Sequence, residues 1–104
     1  MSKLVRDRIP EIIRKSGREP QVRCLSDVEL KLALKEKLVE EAHELKDSGD
    51  IYEELADVLE VVDALVEQYA IDPVKLKKIK EEKLERAGGF KKGFYLMDED
   101  KHKP

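Results

Sequence analysis

The chain has 104 residues, the size of one domain, and a helical layer that thin often needs a partner chain to complete its core. Charged residues make up 43% and hydrophobic ones 40%, which suits helices with solvated outer faces and not a disordered chain. The formal charge of −3 gives no general drive toward a nucleic-acid polymer or an anionic membrane, and no apolar run is long enough to span a membrane. The start, Met1-Ser2-Lys3-Leu4-Val5-Arg6, lacks the apolar stretch of a signal peptide. The single cysteine, Cys24, has no internal partner, so a reducing cytoplasm is the expected compartment. No repeat points to a solenoid.

Pro10 fits the first turn of a short helix running to about Ser16, where Gly17 ends it. Ile9, Ile12 and Ile13 are expected to dock that helix on the core. Arg6 and Arg8 just precede it, either as surface charges or as guanidinium ligands for phosphate. Residues 18–25 connect onward, with a short extended piece conceivable at Val22, Cys24 and Leu25. Cys24 has no base beside it, so a partly buried structural thiol is expected over a catalytic one.

Ser26 and Glu29 form a capping box for a helix running to about Lys46, which Ser48-Gly49 breaks. Its inner face is expected to be Leu30, Ala33, Leu34, Leu38, Ala42 and Leu45. Lys37 lies four before Glu41, as an intrahelical ion pair or as a cation at the rim of an acidic site. His43 points off the face shared by Glu41 and Glu44 and is read as a surface or interface residue. It lacks the second histidine of a zinc-protease helix. Asp50 and Glu53 read as a second capping box, opening a helix to about Tyr69. Its stripe of Ile51, Leu55, Val58, Val62, Leu65 and Tyr69 has helical core spacing. Asp72 and Pro73 open a basic helix that Gly88 stops. The stretch Gly88 to Leu96 is glycine-rich, aromatic and basic, without the ending of a P-loop. Residues 97–104 read as a flexible tail.

Two acidic clusters organise these elements. Glu41 and Glu44 share one helix face, and Glu54 and Asp57 share a face of the next. Glu41 falls between Leu38 and Leu45, a core position where a carboxylate needs cationic compensation. Glu54 and Asp57 flank the stripe of their helix. The connection is short, so the helices are antiparallel neighbours and the four carboxylates come to similar heights. Hard oxygen ligands so arranged suit Mg²⁺ or Mn²⁺. Glu60 and Asp63 lie further along, facing solvent or reaching a second ion or a water. Such a cation would clamp a phosphoanhydride. Arg6 and Arg8 at one end of the chain, with Arg86 and Lys91 at the other, would complete a phosphate site if the ends return to the helices. No serine, cysteine or histidine is placed for covalent catalysis, so direct attack by water is preferred.

Glu40-Glu41-x-x-Glu44 followed by Glu54-x-x-Asp57 resembles the signature of the all-helical nucleoside triphosphate pyrophosphohydrolases. These are the MazG-like enzymes, related to the dimeric dUTPases and to phosphoribosyl-ATP pyrophosphohydrolase. Leu4-Val5-Arg6-Asp7-Arg8-Ile9-Pro10 and Arg86-Ala87-Gly88-Gly89-Phe90 also resemble a branch of small members. The resemblance covers most of the chain and implies an all-α fold, a helical hairpin that assembles into a four-helix bundle. It implies Glu41, Glu44, Glu54 and Asp57 as catalytic metal ligands for Mg²⁺ or Mn²⁺. It implies cleavage between the α and β phosphates to a nucleoside monophosphate and pyrophosphate, in a homodimer or homotetramer. Two departures stand out. Only nine residues separate Glu44 from Glu54, fewer than in many MazG members, and little of the chain is left for a base-specific pocket. Non-canonical nucleotides and phosphoribosyl-ATP are therefore both candidate substrates. A non-catalytic helical interaction or regulatory module and a simple metal-stabilised bundle are the alternatives.

Overall fold

A computed structural model describes residues 2–97. It is all-helical, with α1 (Ile9–Lys15), α2 (Asp27–Asp47), α3 (Ile51–Gln68) and α4 (Pro73–Ala87) and no strand among the described residues. The chain divides after Ala70 into two compact units. The tail expected over 97–104 lies, apart from the exposed Met97, outside the described residues. No helix among the described residues is long and apolar enough to cross a membrane.

In the first unit, α1 starts with Pro10 in its first turn and ends at Ser16, whose hydroxyl donates to the Ile13 carbonyl at 2.6 Å. Gly17 follows at φ 90°, a left-handed turn that glycine makes without strain. Ile9 and Ile13 are half-buried, but Ile12 is exposed and does not dock. Seven residues are under two full turns, so α1 presents one narrow edge and the 9–13 line takes it. The extended piece expected at Val22, Cys24 and Leu25 forms no strand, and Cys24 is exposed, not partly buried. A lone extended segment has no neighbour to pair with; of its side chains Leu25 is half-buried, while Val22 and Cys24 stay exposed.

The cap of α2 is the full reciprocal box. Ser26 Oγ accepts from the Glu29 N–H at 3.2 Å, and Glu29 Oε1 accepts from the Ser26 N–H at 3.0 Å. Arg23 adds a fork to the same carboxylate, at 2.9 Å and 3.3 Å. These donors, with Arg23 foremost, hold the Glu29 carboxyl at about 2. Its pKa is depressed in the folded state, so its stabilising effect is complete above the unfolded value near 4.5 and is lost as pH falls through about 2. The gap in melting temperature between the native protein and a Glu29→Gln variant should therefore shrink steadily from pH 5 to pH 2. A gap that stays constant over that range would rule out the linkage.

At α3 only half of the expected box forms. Asp50 Oδ1 accepts from the Glu53 N–H at 3.2 Å, but the Asp50 N–H donates to Ser48 Oγ at 3.1 Å. Ser48 has taken the donor that Glu53 would have accepted. After α3, Ala70 sits at φ 49°, a conformation that usually falls to glycine at a helix end.

Helices α2 and α3 pack on each other, joined by three residues. Gln68 Nε2 at the end of α3 donates to Asp27 Oδ1 at the start of α2, at 3.5 Å. Lys31 and Lys35 of α2 lie 5.3 Å and 5.2 Å from the centre of the Tyr69 ring, within cation–π range. The pair is thus an antiparallel hairpin. Its buried seam is thin: Leu34, Val61 and Glu41 are the buried residues. Leu34 and Glu41 are two turns apart on one line of α2. Ala42, expected on that face, is exposed. On α3 the facing line is Glu54, Asp57, Val61 and Ala64, all half-buried except the buried Val61. The stripe expected inside is instead split, with Val58, Val62 and Leu65 half-buried and Ile51, Leu55 and Tyr69 exposed. One neighbouring helix covers only a narrow strip, so most of the wide apolar sector of α3 is left outside.

In the second unit, α4 is capped by Asp72, whose Oδ1 accepts from the Val74 and Lys75 N–H groups at 3.0 Å and 3.4 Å. Pro73 follows the cap, and Gly88 at φ 80° returns its N–H to the Leu84 carbonyl at 2.8 Å. Phe90, Phe94 and Tyr95 are exposed.

Candidate metal centre

The turn at Ser48–Asp50 brings one end of α2 against the start of α3. Glu41 and Glu44, three apart on α2, meet Glu54 from the first turn of α3. Each offers a carboxylate oxygen, and the three oxygens lie within 4.8 Å of one another. Glu41 is 6% exposed, Glu54 is half-buried and Glu44 is exposed. The site therefore grades from a buried floor to an open mouth.

The electrostatics are unbalanced. Lys37 Nζ lies 3.3 Å from Oε1 of both Glu40 and Glu41, and its side chain is 16% exposed. Oε2 of Glu41 and Oε2 of Glu54 are buried and accept no hydrogen bond. A buried acceptor left without a partner costs about 1–3 kcal/mol. Glu54 shows the strain directly. Burial pushes its carboxyl up, the carboxylates of Glu44, Asp57 and Glu41 push the same way, and the Ser48 hydroxyl opposes them. Hard carboxylate oxygens gathered at one place, on residues two of which carry a buried unpartnered oxygen, are the kind of donor a Mg²⁺- or Mn²⁺-sized cation uses. The donor set fits such an ion.

Asp57, one turn beyond Glu54, is engaged elsewhere. Arg6 Nη2 donates to its Oδ1 at 2.8 Å. Lys3 Nζ lies 4.0 Å from Glu40 Oε1. The segment before α1 thus lays two cations along the acidic face. Lys3 and Ser48 were not picked out in the sequence as site residues. The Lys3 contact spans 37 positions with no local spacing to reveal it, and Ser48 is legible only as a helix breaker. Arg8 is exposed at the start of α1, with no ion pair to the cluster among the described residues. His43, Glu60 and Asp63 are exposed. Arg86, in the last turn of α4, and Lys91, in the turn that follows, belong to the second unit.

The chain matches no protein-family model, and no solved structure matches it. A stretch of 46 residues is 61% identical to an uncharacterized protein of Mycolicibacterium smegmatis. That stretch covers 44% of this chain and 47% of the relative, so the likeness spans about half of either protein.

Proposed function

We propose that the chain is a Mg²⁺- or Mn²⁺-dependent nucleoside triphosphate pyrophosphohydrolase of the all-α, MazG-like kind. It cleaves the α–β phosphoanhydride to a nucleoside monophosphate and pyrophosphate. The observation that carries this reading is the convergence of Glu41, Glu44 and Glu54 within 4.8 Å, with buried unpartnered oxygens on two of them. These three residues would hold the cation, and Asp57 would join them once free of Arg6. The cation supplies charge neutralisation and orientation of the diphosphate.

The residues of the chain do the rest. Lys37 balances Glu40 and Glu41 from within α2, so it offsets part of the negative charge at the buried floor. Glu44 is the open member and is placed to orient the attacking water. That water forms a new P–O bond, the bridging oxygen leaves with pyrophosphate, and one proton passes to solvent. Lys3 and Arg6 line the rim where phosphate oxygens would land, and guanidinium suits them well. The thin seam and the apolar side of α3 support action as a homodimer or homotetramer in which two hairpins make a four-helix bundle.

A pyrophosphate-release screen over canonical, deaminated and oxidised nucleoside triphosphates and phosphoribosyl-ATP tests the proposal. Release that depends on Mg²⁺ or Mn²⁺ and matches monophosphate formation one for one is expected. Silence on every substrate at high enzyme and metal concentration would reject the activity and leave the interaction module.

A further inference from the structure

The ion pairs around the acidic site fall into two kinds. Lys37 and Glu41 are both largely buried, at 16% and 8% exposed side chain, and a Glu41 carboxylate parted from Lys37 would be left uncompensated in a poorly solvated place. Arg6 and Asp57 are 56% and 37% exposed. Water can replace either partner there, so such a pair is weak and readily exchanged. The backbone of Arg6 is nonetheless fixed, since its carbonyl accepts the Ile9 N–H at 3.0 Å where α1 begins. A tethered base and an exchangeable head make a side chain that can change partners without moving the fold. Its present partner is the one candidate ligand outside the converging trio.

We infer that Arg6 is a latch on the acidic site. It holds Asp57 away from an incoming cation and releases it when a phosphate oxygen takes over the guanidinium. The inference rests on the divalent-cation reading above and adds an order of assembly to it. A lone divalent cation meets Lys3, Arg6 and Lys37 around three carboxylates, with the fourth already paired. A cation arriving with pyrophosphate brings the anion that draws Arg6 off, and Asp57 becomes available. Cation and anion thereby help each other to bind, and this coupling is necessarily reciprocal.

The test is calorimetric titration of the full chain, as wild type, Arg6→Gln and Lys3→Gln, with Mn²⁺ alone and with the preformed Mn²⁺–pyrophosphate complex. Unchanged thermal melts would verify that the variants fold. Arg6→Gln should bind Mn²⁺ alone roughly three- to tenfold tighter, the range expected from losing an exposed pair together with one repelling charge. It should bind the complex more weakly than wild type does. Lys3→Gln removes the same charge from the rim without touching Asp57 and should tighten Mn²⁺ less. Mn²⁺ bound by Arg6→Gln and not by wild type would support the latch most directly. Equal tightening in both variants, or no tightening in Arg6→Gln, would overturn the latch and leave the cation site standing. Failure of every form to bind Mn²⁺ would overturn the cation site, and the latch with it.

Discussion

Glu41→Leu is expected to abolish divalent-cation binding and to raise the melting temperature of the cation-free protein. The two effects have one cause. Glu41 occupies a seam position two turns from Leu34 and is 6% exposed. Lys37 meets only one of its oxygens, and the other has no partner. Leucine there would extend the apolar line and remove the orphan, a gain of about 1–3 kcal/mol. Lys37 would keep Glu40 at 3.3 Å, so it would not be stranded. Catalysis would suffer in proportion to the lost charge stabilisation. Several kcal/mol is about 10²- to 10⁴-fold in pyrophosphate release. Thermal melts without metal, Mn²⁺ titration and the release assay check the three parts. A melting temperature that falls in the variant would mean that Glu41 is a structural residue and not a stored cost.

Leu59→Glu is expected to turn the proposed oligomer into monomers that melt at a much lower temperature. Ile51, Leu55 and Leu59 recur every four residues on α3, and all are exposed, Leu59 at 61%. On α2, Val28, Leu32 and Val39 are exposed along one line as well. Two helices that bury Leu34 and Val61 as their only fully apolar core leave more greasy surface than a small chain tolerates alone. A second hairpin on that surface would complete a bundle. Burying a leucine contributes about 1.5–3 kcal/mol. A symmetric dimer counts it twice, so the dissociation constant should rise by roughly 10²- to 10⁴-fold. Sedimentation would read the species, and the melting temperature of the native protein should climb with its concentration. A native monomer whose melting is independent of concentration would defeat this expectation.

The helices were legible because their ends are written in neighbouring residues. Ser26 with Glu29, Asp50 with Glu53, Asp72 with Pro73, and Gly88 each mark a boundary within three positions. The shared face of Glu41 and Glu44 follows from the same short-range geometry. What stayed hidden depends on partners distant in the chain. Asp57 pairs with a residue 51 positions away, and no local pattern encodes that. The apolar stripe of α3 is only half covered, with Val58, Val62 and Leu65 half-buried and Ile51, Leu55 and Tyr69 exposed, because apolar residues run along two of its sides. Only the width of the covering helix decides between them. Ser48 displaced Glu53 from the cap for a similar reason, since two acceptors competed for one N–H and the nearer won.

The hairpin is held unequally at its two ends. At one end Tyr69 lies under two ammonium groups and Gln68 reaches Asp27. At the other, like charges crowd beside a three-residue turn. Thermal opening should therefore resemble tweezers, with the pivot at Tyr69 and the tips at Glu44 and Glu54. Amide exchange near the tips should be fast in the free protein and slow sharply with Mn²⁺, while amides near Tyr69 hardly change. Equal slowing along both helices would instead describe a rod that stiffens as a whole.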